Sequence, residues 1–157
     1  MLQRYGQVSL QRCLRHSKRC ARPFSAGALH RVARCTAGST ADDFAIEKEV
    51  IPSPGPGEVL VKVSAFGVNR PDILQRLGAY PPPAGHSDVL GLEIAGEVVG
   101  AGPDLDEKWA TPPSDLLGQN VTALTNGGGY AEYCTVPASQ ALPVPRALSV
   151  VESAALP

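Results

Sequence analysis

The sequence predicts a mainly β fold, a small β-barrel with short helices, and three observations support this. Several short runs alternate apolar and polar residues with the period of two that is typical of strands. Turn residues separate these runs, since 16 Gly and 15 Pro occur among 157 residues. No apolar run approaches the roughly 18 residues that a membrane-spanning helix needs. The length predicts one domain, because single domains commonly have about 100 to 150 residues.

The alternating runs predict seven strands, in chain order at 31–36, 44–51, 58–66, 92–101, 120–124, 130–137 and 140–145. The third of these, EVLVKVSAF, has a continuous apolar face formed by Val59, Val61, Val63 and Ala65. Together the runs are typical of a small barrel made of short strands.

The remaining elements are turns and short helices. The segment PSPGPG at 52–57 cannot belong to a helix and predicts a stiff turn. The glycines of NGGGY at 126–130 predict a hairpin turn rather than a phosphate cradle. Near Pro71 a short helix is expected to begin, and a second begins after Ser149, where Glu152 completes a capping pattern.

The N-terminal segment differs from the rest in charge. Residues 1–41 contain eight Arg or Lys and no acid, whereas all fifteen acids lie from Asp42 onward. A basic, acid-free segment with scattered Ser predicts a mitochondrial presequence over residues 1–24, with cleavage after Phe24 in RPFS. The expected location is therefore the mitochondrial matrix. A plastid address and a disordered nucleic-acid-binding arm are the alternatives.

After the presequence, residues 25–40 are expected to form a linker with a candidate first strand, and residues 41–157 are expected to form the folded domain. From Ser25 onward eight basic residues face fifteen acids, a net charge of −7. Such a surface repels nucleic acid, so no nucleic-acid partner is expected.

The cysteines give no sign of a metal site. Outside the presequence only Cys35 and Cys134 remain, far apart and without a CxxC pair or a nearby His. They predict neither a zinc site nor a disulfide framework. Cys134 lies in an alternating run and is interpreted as a small core residue rather than a reactive thiol.

Five segments, taken together and in order, resemble a known family: PGPGEVLVKV, GVNRPDILQRLGAYPPP, DVLGLEIAGEVV, GGGYAEYCTVP and SVVESAALP. They are similar to the N-terminal part of the medium-chain dehydrogenase/reductase superfamily, in its zeta-crystallin-like NADPH:quinone oxidoreductase branch. The resemblance covers residues 31–157. It implies that 41–157 is the GroES-like catalytic domain, a partly open β-barrel.

In that family a Rossmann domain that binds the dinucleotide follows the GroES-like domain. The present sequence has no GxGxxG between a strand and a helix, so the Rossmann domain is expected to be absent from this chain. The resemblance implies NADPH as cofactor, bound mainly by that second domain, and a homodimer of the full-length protein. This chain alone is expected to be inactive.

A comparison with the zinc-dependent alcohol dehydrogenases of the same superfamily indicates zinc independence. Those enzymes carry a metal-binding Cys after the second long strand and a His in a GHE motif. Here the corresponding positions are Asn69 in GVN and Leu92 in GLE, and the four-Cys lobe is missing. A quinone or a conjugated enone is already electrophilic, so hydride delivery needs orientation and a hydrogen bond rather than a Lewis acid.

The resemblance implies two site residues, Asn69 and Tyr80, and the position of Asp72 at the helix start adds a third candidate. Asn69 is expected to approach the nicotinamide end of the cofactor and to be catalytic. Its residue type and its position before the helix alone favour a helix cap. Tyr80 is expected to be the proton or hydrogen-bond donor, with packing against the following prolines as the alternative. Asp72 is assigned to the cofactor side or to the helix start. Tyr130 and Tyr133 could line the cleft, but alternation leaves their faces undecided.

The sequence therefore predicts the N-terminal part of a zinc-independent, NADPH-dependent oxidoreductase that transfers hydride to a quinone or an α,β-unsaturated carbonyl. Two alternatives stay open: an enoyl-thioester reductase of mitochondrial fatty-acid synthesis, and a non-enzymatic GroES-like interaction module.

Overall fold

A computed structural model of the protein describes residues 27–105 and 116–157. The predicted presequence, residues 1–24, lies outside these described residues. None of the helices within them is long and apolar enough to cross a membrane.

The described residues contain all seven predicted strands, with ends shifted by at most three positions. Short α-helices and 3-10 helices accompany them, the latter at Ala41–Asp43 and Ala138–Gln140. The strands are β1 (Leu29–Arg34), β2 (Ala45–Val50), β3 (Glu58–Phe66), β4 (Glu93–Ala101), β5 (Asn120–Leu124), β6 (Tyr133–Pro137) and β7 (Ala141–Pro143), and the helices are α1 (Arg70–Arg76) and α2 (Val150–Ser153).

The strands form two antiparallel sheets and no closed barrel within the described residues. Five strands are ordered β6-β3-β4-β5-β7, and β1 pairs with β2 in a separate sheet of two strands. A bridge between Val32 and Ala131, with the Ala33 amide donating to the Tyr130 carbonyl at 2.8 Å, joins β1 to the chain before β6. The predicted partly open, mainly β architecture is confirmed.

The main core lies against the five-stranded sheet, where alternate residues of neighbouring strands are fully buried. It contains Val59, Val61, Ile94, Val98, Leu116, Val121, Ala123, Cys134, Val136, Ala138 and Ala141. The predicted apolar face of β3 is buried only in its first half. Val63 and Ala65 still alternate with exposed neighbours but are only half-buried. The pairing of β3 with β4 has register irregularities between Leu60 and Val61 and between Val63 and Ala65.

The hairpin predicted at NGGGY is wrong. This segment connects β5 to β6, which are not neighbours in the sheet. The glycines instead pack backbone against backbone on the chain before β4. The Gly128 amide donates to the Val89 carbonyl at 2.7 Å, and a Cβ on Gly91 would lie 2.6 Å from the Gly129 Cα. Glycine is needed here for this close approach and for the positive φ angles of Gly91, Gly127 and Gly128.

The predicted C-terminal helix is confirmed as α2. The Ser149 hydroxyl accepts from the Glu152 amide at 3.2 Å, and the Glu152 carboxylate accepts from the Ser149 amide at 2.8 Å. These two bonds form a capping box. The Thr122 hydroxyl donates to the Ser153 carbonyl at 2.6 Å and so holds α2 against β5.

Candidate functional site

Asn69 lies on the short loop after β3, at the N-cap of α1. Its backbone is extended, with φ −120° and ψ 159°, as N-cap residues usually are. The Asn69 backbone amide donates to Asp72 Oδ2 at 2.8 Å, and the Asp72 backbone amide donates to the Asn69 backbone carbonyl at 3.1 Å. Pro71 in the first turn adds a fixed φ. Asn69 is thus the N-cap residue of α1 and Asp72 lies in its first turn, as predicted, although the Asn69 side chain makes no full capping hydrogen bond.

The Asn69 side chain forms a hydrogen bond with a residue that was not singled out from the sequence. Asn69 Nδ2 donates to Glu93 Oε1 at 2.8 Å, and Glu93, the first residue of β4, is only 7% exposed. The signal was present in the segment GLEIAG. An acid at the start of an almost wholly apolar strand must find a hydrogen-bonding partner when it is buried.

Gly67 makes this contact possible. Its amide donates to the Glu93 carbonyl at 3.2 Å. A Cβ on Gly67 would lie 1.7 Å from Glu93 Oε1, so any side chain there would displace the carboxylate. The loop and the first residue of β4 are therefore fitted to each other.

The Asp72 carboxylate is more deeply buried, at 2% exposed, and accepts three hydrogen bonds. One comes from the Asn69 backbone amide, and the others come from the Gly91 amide at 3.2 Å and the Tyr130 hydroxyl at 3.1 Å. The carboxylate thereby connects α1, the loop before β4 and the glycine segment. The cofactor role of Asp72 stays a prediction, and its enclosure means that any effect on a cofactor would pass through Asn69.

Of the two tyrosines left undecided by the sequence, Tyr130 turns inward. Its ring stacks on Phe66 with centroids 4.5 Å apart and planes at 28°. Burial, followed by the nearby charge of Asp72, raises the pKa of the Tyr130 phenol, so it remains a proton donor to that carboxylate. Tyr133 instead meets the His30 ring edge-on, with centroids 5.9 Å apart.

Tyr80 lies beyond the other end of α1. The helix closes with Gly78 at φ 78°, whose amide donates to the Gln75 carbonyl, while the Ala79 amide donates to the Leu74 carbonyl. This is a Schellman ending. Tyr80 follows it, 47% exposed. With seven residues at 1.5 Å each, α1 is roughly 10 Å long and lies between the two predicted catalytic residues in the chain.

The structure thus brings Asn69, Asp72 and Glu93 into one hydrogen-bonded network and leaves Tyr80 outside it. No described residue forms a hydrogen bond or ring contact with the Tyr80 side chain. Exposed apolar side chains surround the loop and helix: Val68, Ile73, Leu77 and the Tyr80 ring. Ile73 and Leu77 share one face of α1, because residues four apart are neighbours on a helix.

No metal centre accompanies this network. Within residues 27–105 and 116–157, no group of three or more His, Cys, Asp or Glu side chains is placed to hold a metal ion. Zinc independence itself stays a prediction. Cys134 is 2% exposed, and burial raises the pKa of its thiol to about 12, which confirms it as an unreactive core residue.

Comparison with known proteins gives a consistent set of relatives. Residues 55–146 match the family described as "Alcohol dehydrogenase GroES-like domain". The chain is 37% identical over 107 residues to the synaptic vesicle membrane protein VAT-1 homolog of Rattus norvegicus, which covers 68% of this chain and 25% of that protein. It is 36% identical over 95 residues to prostaglandin reductase-3 of Mus musculus, covering 60% of this chain and 23% of that protein.

Solved structures resemble the chain over a larger share of its length. A mycobacterial quinone oxidoreductase has a TM-score of 0.67 at 30% identity, covering 81% of this chain and 37% of that one. A mycobacterial protein in complex with NADPH has a TM-score of 0.65 at 31% identity, covering 78% of this chain and 36% of that one. The chain therefore spans well under half the length of the proteins it matches.

Proposed function

Because the chain belongs to the alcohol dehydrogenase GroES-like family of the medium-chain dehydrogenase/reductase superfamily, we propose that it is the catalytic domain of an NADPH-dependent oxidoreductase. The proposed substrates are quinones and α,β-unsaturated carbonyl compounds, and the proposed reaction needs no zinc. The resemblance to a mycobacterial quinone oxidoreductase supports the first substrate class.

The observation that carries this proposal is the fixed Asn69 loop. By the resemblance, Asn69 corresponds to the position where the zinc enzymes of this superfamily have a Cys ligand. Its side-chain nitrogen Nδ2 donates to Glu93 Oε1 at 2.8 Å. A carboxamide engaged in this way is a poor zinc ligand, since zinc prefers thiolate, imidazole and carboxylate. It is well suited to orient a neutral organic group by hydrogen bonding.

The described residues suit one end of NADPH and not the other. Beside Asn69, the exposed apolar side chains of Val68 and Ile73 offer a surface for a flat ring such as nicotinamide. The glycine segment offers no cradle for phosphates, because the Gly128 and Gly129 amides already donate to the Val89 and Gly91 carbonyls. The phosphates would accordingly be held by a domain outside this chain.

NADPH, when bound, supplies the hydride. The part left to this chain is to stabilise the carbonyl oxygen that gains negative charge as the substrate is reduced. The exposed Tyr80 hydroxyl can donate to that oxygen, and such a bond strengthens as the charge develops. Asn69 would hold the reacting ring in the orientation for transfer.

The test is steady-state kinetics on the intact protein that carries this chain, with NADPH and a series of quinones and enones. Tyr80→Phe should lower kcat by about 10- to 1,000-fold while KM changes little. Enones should be affected more than easily reduced quinones. Asn69→Ala should weaken saturation by NADPH and slow every acceptor. Full activity in both variants, or no NADPH-dependent reduction by the wild type, would contradict the proposal.

We also propose import into the mitochondrial matrix, motivated by the acid-free basic residues 1–24. Residues 1–40 fused to a fluorescent reporter should direct it to mitochondria. A matched fusion in which Arg4, Arg12, Arg15 and Arg19 are replaced by Gln should remain diffuse. Diffuse fluorescence from the unmodified fusion would reject the proposal.

A further inference from the structure

The contact between Asn69 and Glu93 fixes the polarity of an amide. A primary amide has a donor end and an acceptor end, and the two can exchange by rotation about the last side-chain bond. A carboxylate can only accept hydrogen bonds, so Asn69 must turn its nitrogen toward Glu93, as the 2.8 Å contact between Nδ2 and Oε1 shows. The side-chain oxygen of Asn69, Oδ1, is then left on the side away from Glu93, toward the first turn of α1, where the capping box brings it near the Asp72 backbone amide without a full capping hydrogen bond.

Neither partner is free to rearrange. Glu93 is 7% exposed, its backbone carbonyl accepts from the Gly67 amide, and its carboxylate fills the space that a Gly67 side chain would take. The Asn69 backbone is fixed by the Asp72 carboxylate at 2.8 Å. The orientation of the amide is therefore built into the fold before any ligand arrives.

Glu93 is a buried carboxylate without a cation. All ion pairs among the described residues lie elsewhere, at Arg31 and Arg34. Burying a carboxylate costs free energy that one neutral donor only partly offsets. Packing alone would be better served by an apolar residue, so the carboxylate is better explained by what it does to Asn69.

We propose that Glu93 is a positioning residue that makes Asn69 present its carbonyl oxygen as a hydrogen-bond acceptor to the nicotinamide end of the cofactor. The group received is an N–H or O–H donor, either the carboxamide of the nicotinamide or a hydroxyl of its ribose. The substrate oxygen, which needs a donor, is left to Tyr80. This assignment rests on the proposed function and separates the roles of the two residues.

A first experiment tests the fixed polarity without any cofactor. In the full chain labelled with ¹⁵N, one side-chain N–H of Asn69 should exchange with solvent more slowly than the amides of exposed Asn and Gln residues. Glu93→Gln should reduce this protection, because Gln can offer either end of its amide and no longer forces Asn69 to donate. Glu97→Gln on the same strand, where the side chain is exposed, is the matched control and should leave it intact. An unprotected Asn69 amide in the wild type overturns the inference, whatever the enzyme does.

A second experiment measures NADPH affinity in the intact protein. Glu93→Gln should weaken binding by about 2- to 10-fold, the value of one hydrogen bond between neutral groups. The exchange variant Asn69→Asp with Glu93→Gln keeps one carboxylate and one amide, but the amide at position 93 now donates and the carboxylate at position 69 can only accept. It should restore binding toward the wild-type value, with Glu97→Gln again unchanged.

Failure of the exchange variant to recover affinity, although it is folded, overturns the inference. Absence of NADPH binding by the wild type overturns the proposed function instead. An analogue with an acetyl group in place of the carboxamide distinguishes the two donors. If the wild type binds the analogue more weakly than NADPH, whereas Glu93→Gln binds the two equally, the donor is the carboxamide. If the wild type binds the analogue and NADPH equally and the exchange variant recovers affinity, the donor is a ribose hydroxyl.

Discussion

Two groups of carboxylates in this molecule are held in opposite ways. The buried carboxylate pair, Asp72 and Glu93, is 2% and 7% exposed and is bonded only to neutral donors. The second group is the Arg34 cluster, in which one guanidinium contacts Glu47, Glu49 and Asp88. Its three acidic side chains are 36% to 74% exposed.

The difference lies in how much free energy each arrangement costs and in how firmly it fixes a side chain. The Arg34 cluster joins β1, β2 and the loop before β4 with charges that stay in contact with water. Its formation therefore costs little desolvation free energy and adds little to the free energy of unfolding. The buried carboxylate pair is withdrawn from water without a counter-charge. Its hydrogen bonds hold both the backbone and the side chain of Asn69. Groups of this kind are found where geometry matters more than stability.

The largest effect is expected from Asp72→Ala. The change leaves the Asn69 and Gly91 amides and the Tyr130 hydroxyl without their acceptor and opens a small cavity, so the free energy of unfolding should fall by about 3 kcal/mol. Denaturant titration measures it. Asp42→Ala, at an exposed position, is the control and should change stability by less than about 0.5 kcal/mol. Equal losses in the two variants would show that Asp72 has no special role.

Gly67→Ala should have the next largest effect. The new Cβ would lie 1.7 Å from Glu93 Oε1, so the carboxylate must move away from Asn69 and the free energy of unfolding should fall by about 2 kcal/mol. The same substitution in a Glu93→Ala background should cost clearly less, because the clashing atom is gone. Additive losses in this double-mutant cycle, measured by thermal unfolding, would refute the contact.

A smaller effect is expected from Tyr130→Phe. The ring keeps its stacking on Phe66, and only the hydrogen bond to Asp72 at 3.1 Å is removed. The loss of stability should be about 1 kcal/mol, and NADPH binding should weaken slightly if Asp72 acts through Asn69. No change in either quantity would mean that the phenol contributes packing alone.

The smallest effect and the clearest pH dependence are expected from Arg34→Met. The loss should be about 1 kcal/mol or less at neutral pH and low salt, and smaller still at high salt. The Arg34 hydrogen bond, and then its charge, hold the pKa of Asp88 below its ordinary 3.8. A lowered carboxyl pKa stabilises the fold above 3.8 and ceases to do so as the pH falls through the lowered value.

The stabilities of wild type and Arg34→Met should therefore converge in acid, below about pH 4. Arg31→Met, which removes one ion pair with Glu132, is the matched control with a smaller loss at neutral pH. A difference that persists unchanged at about pH 3 would contradict the ion-pair explanation.

Local sequence patterns predicted the strands well because each depends on its own alternation. The strands β3 and β5 were predicted at their observed bounds, and Asn69 and Pro71 located the start of α1. The medium-chain family and its mainly β class followed from the order of several such segments. All of these signals lie within about ten residues of the feature they predict.

The errors and omissions come from contacts between distant parts of the chain. NGGGY has the composition of a turn, but composition does not say that β5 and β6 are separated by other strands. The pairing of Glu93 with Asn69 was overlooked because the two residues are 24 positions apart in the chain. The bond between Asp72 and Tyr130 spans 58 residues, and no periodicity reports such a pairing.

That span of 58 residues has a consequence during synthesis. At about 5 to 20 residues per second, roughly 3 to 12 seconds pass between the addition of Asp72 and that of Tyr130 to the growing chain. β3 meanwhile lacks β6, so one of its edges is open to other nascent chains. A chaperone or protease that encounters the nascent chain in this interval contacts the Asn69 loop before the bond between Asp72 and Tyr130 has formed. Slow codons between these two positions would lengthen that exposure.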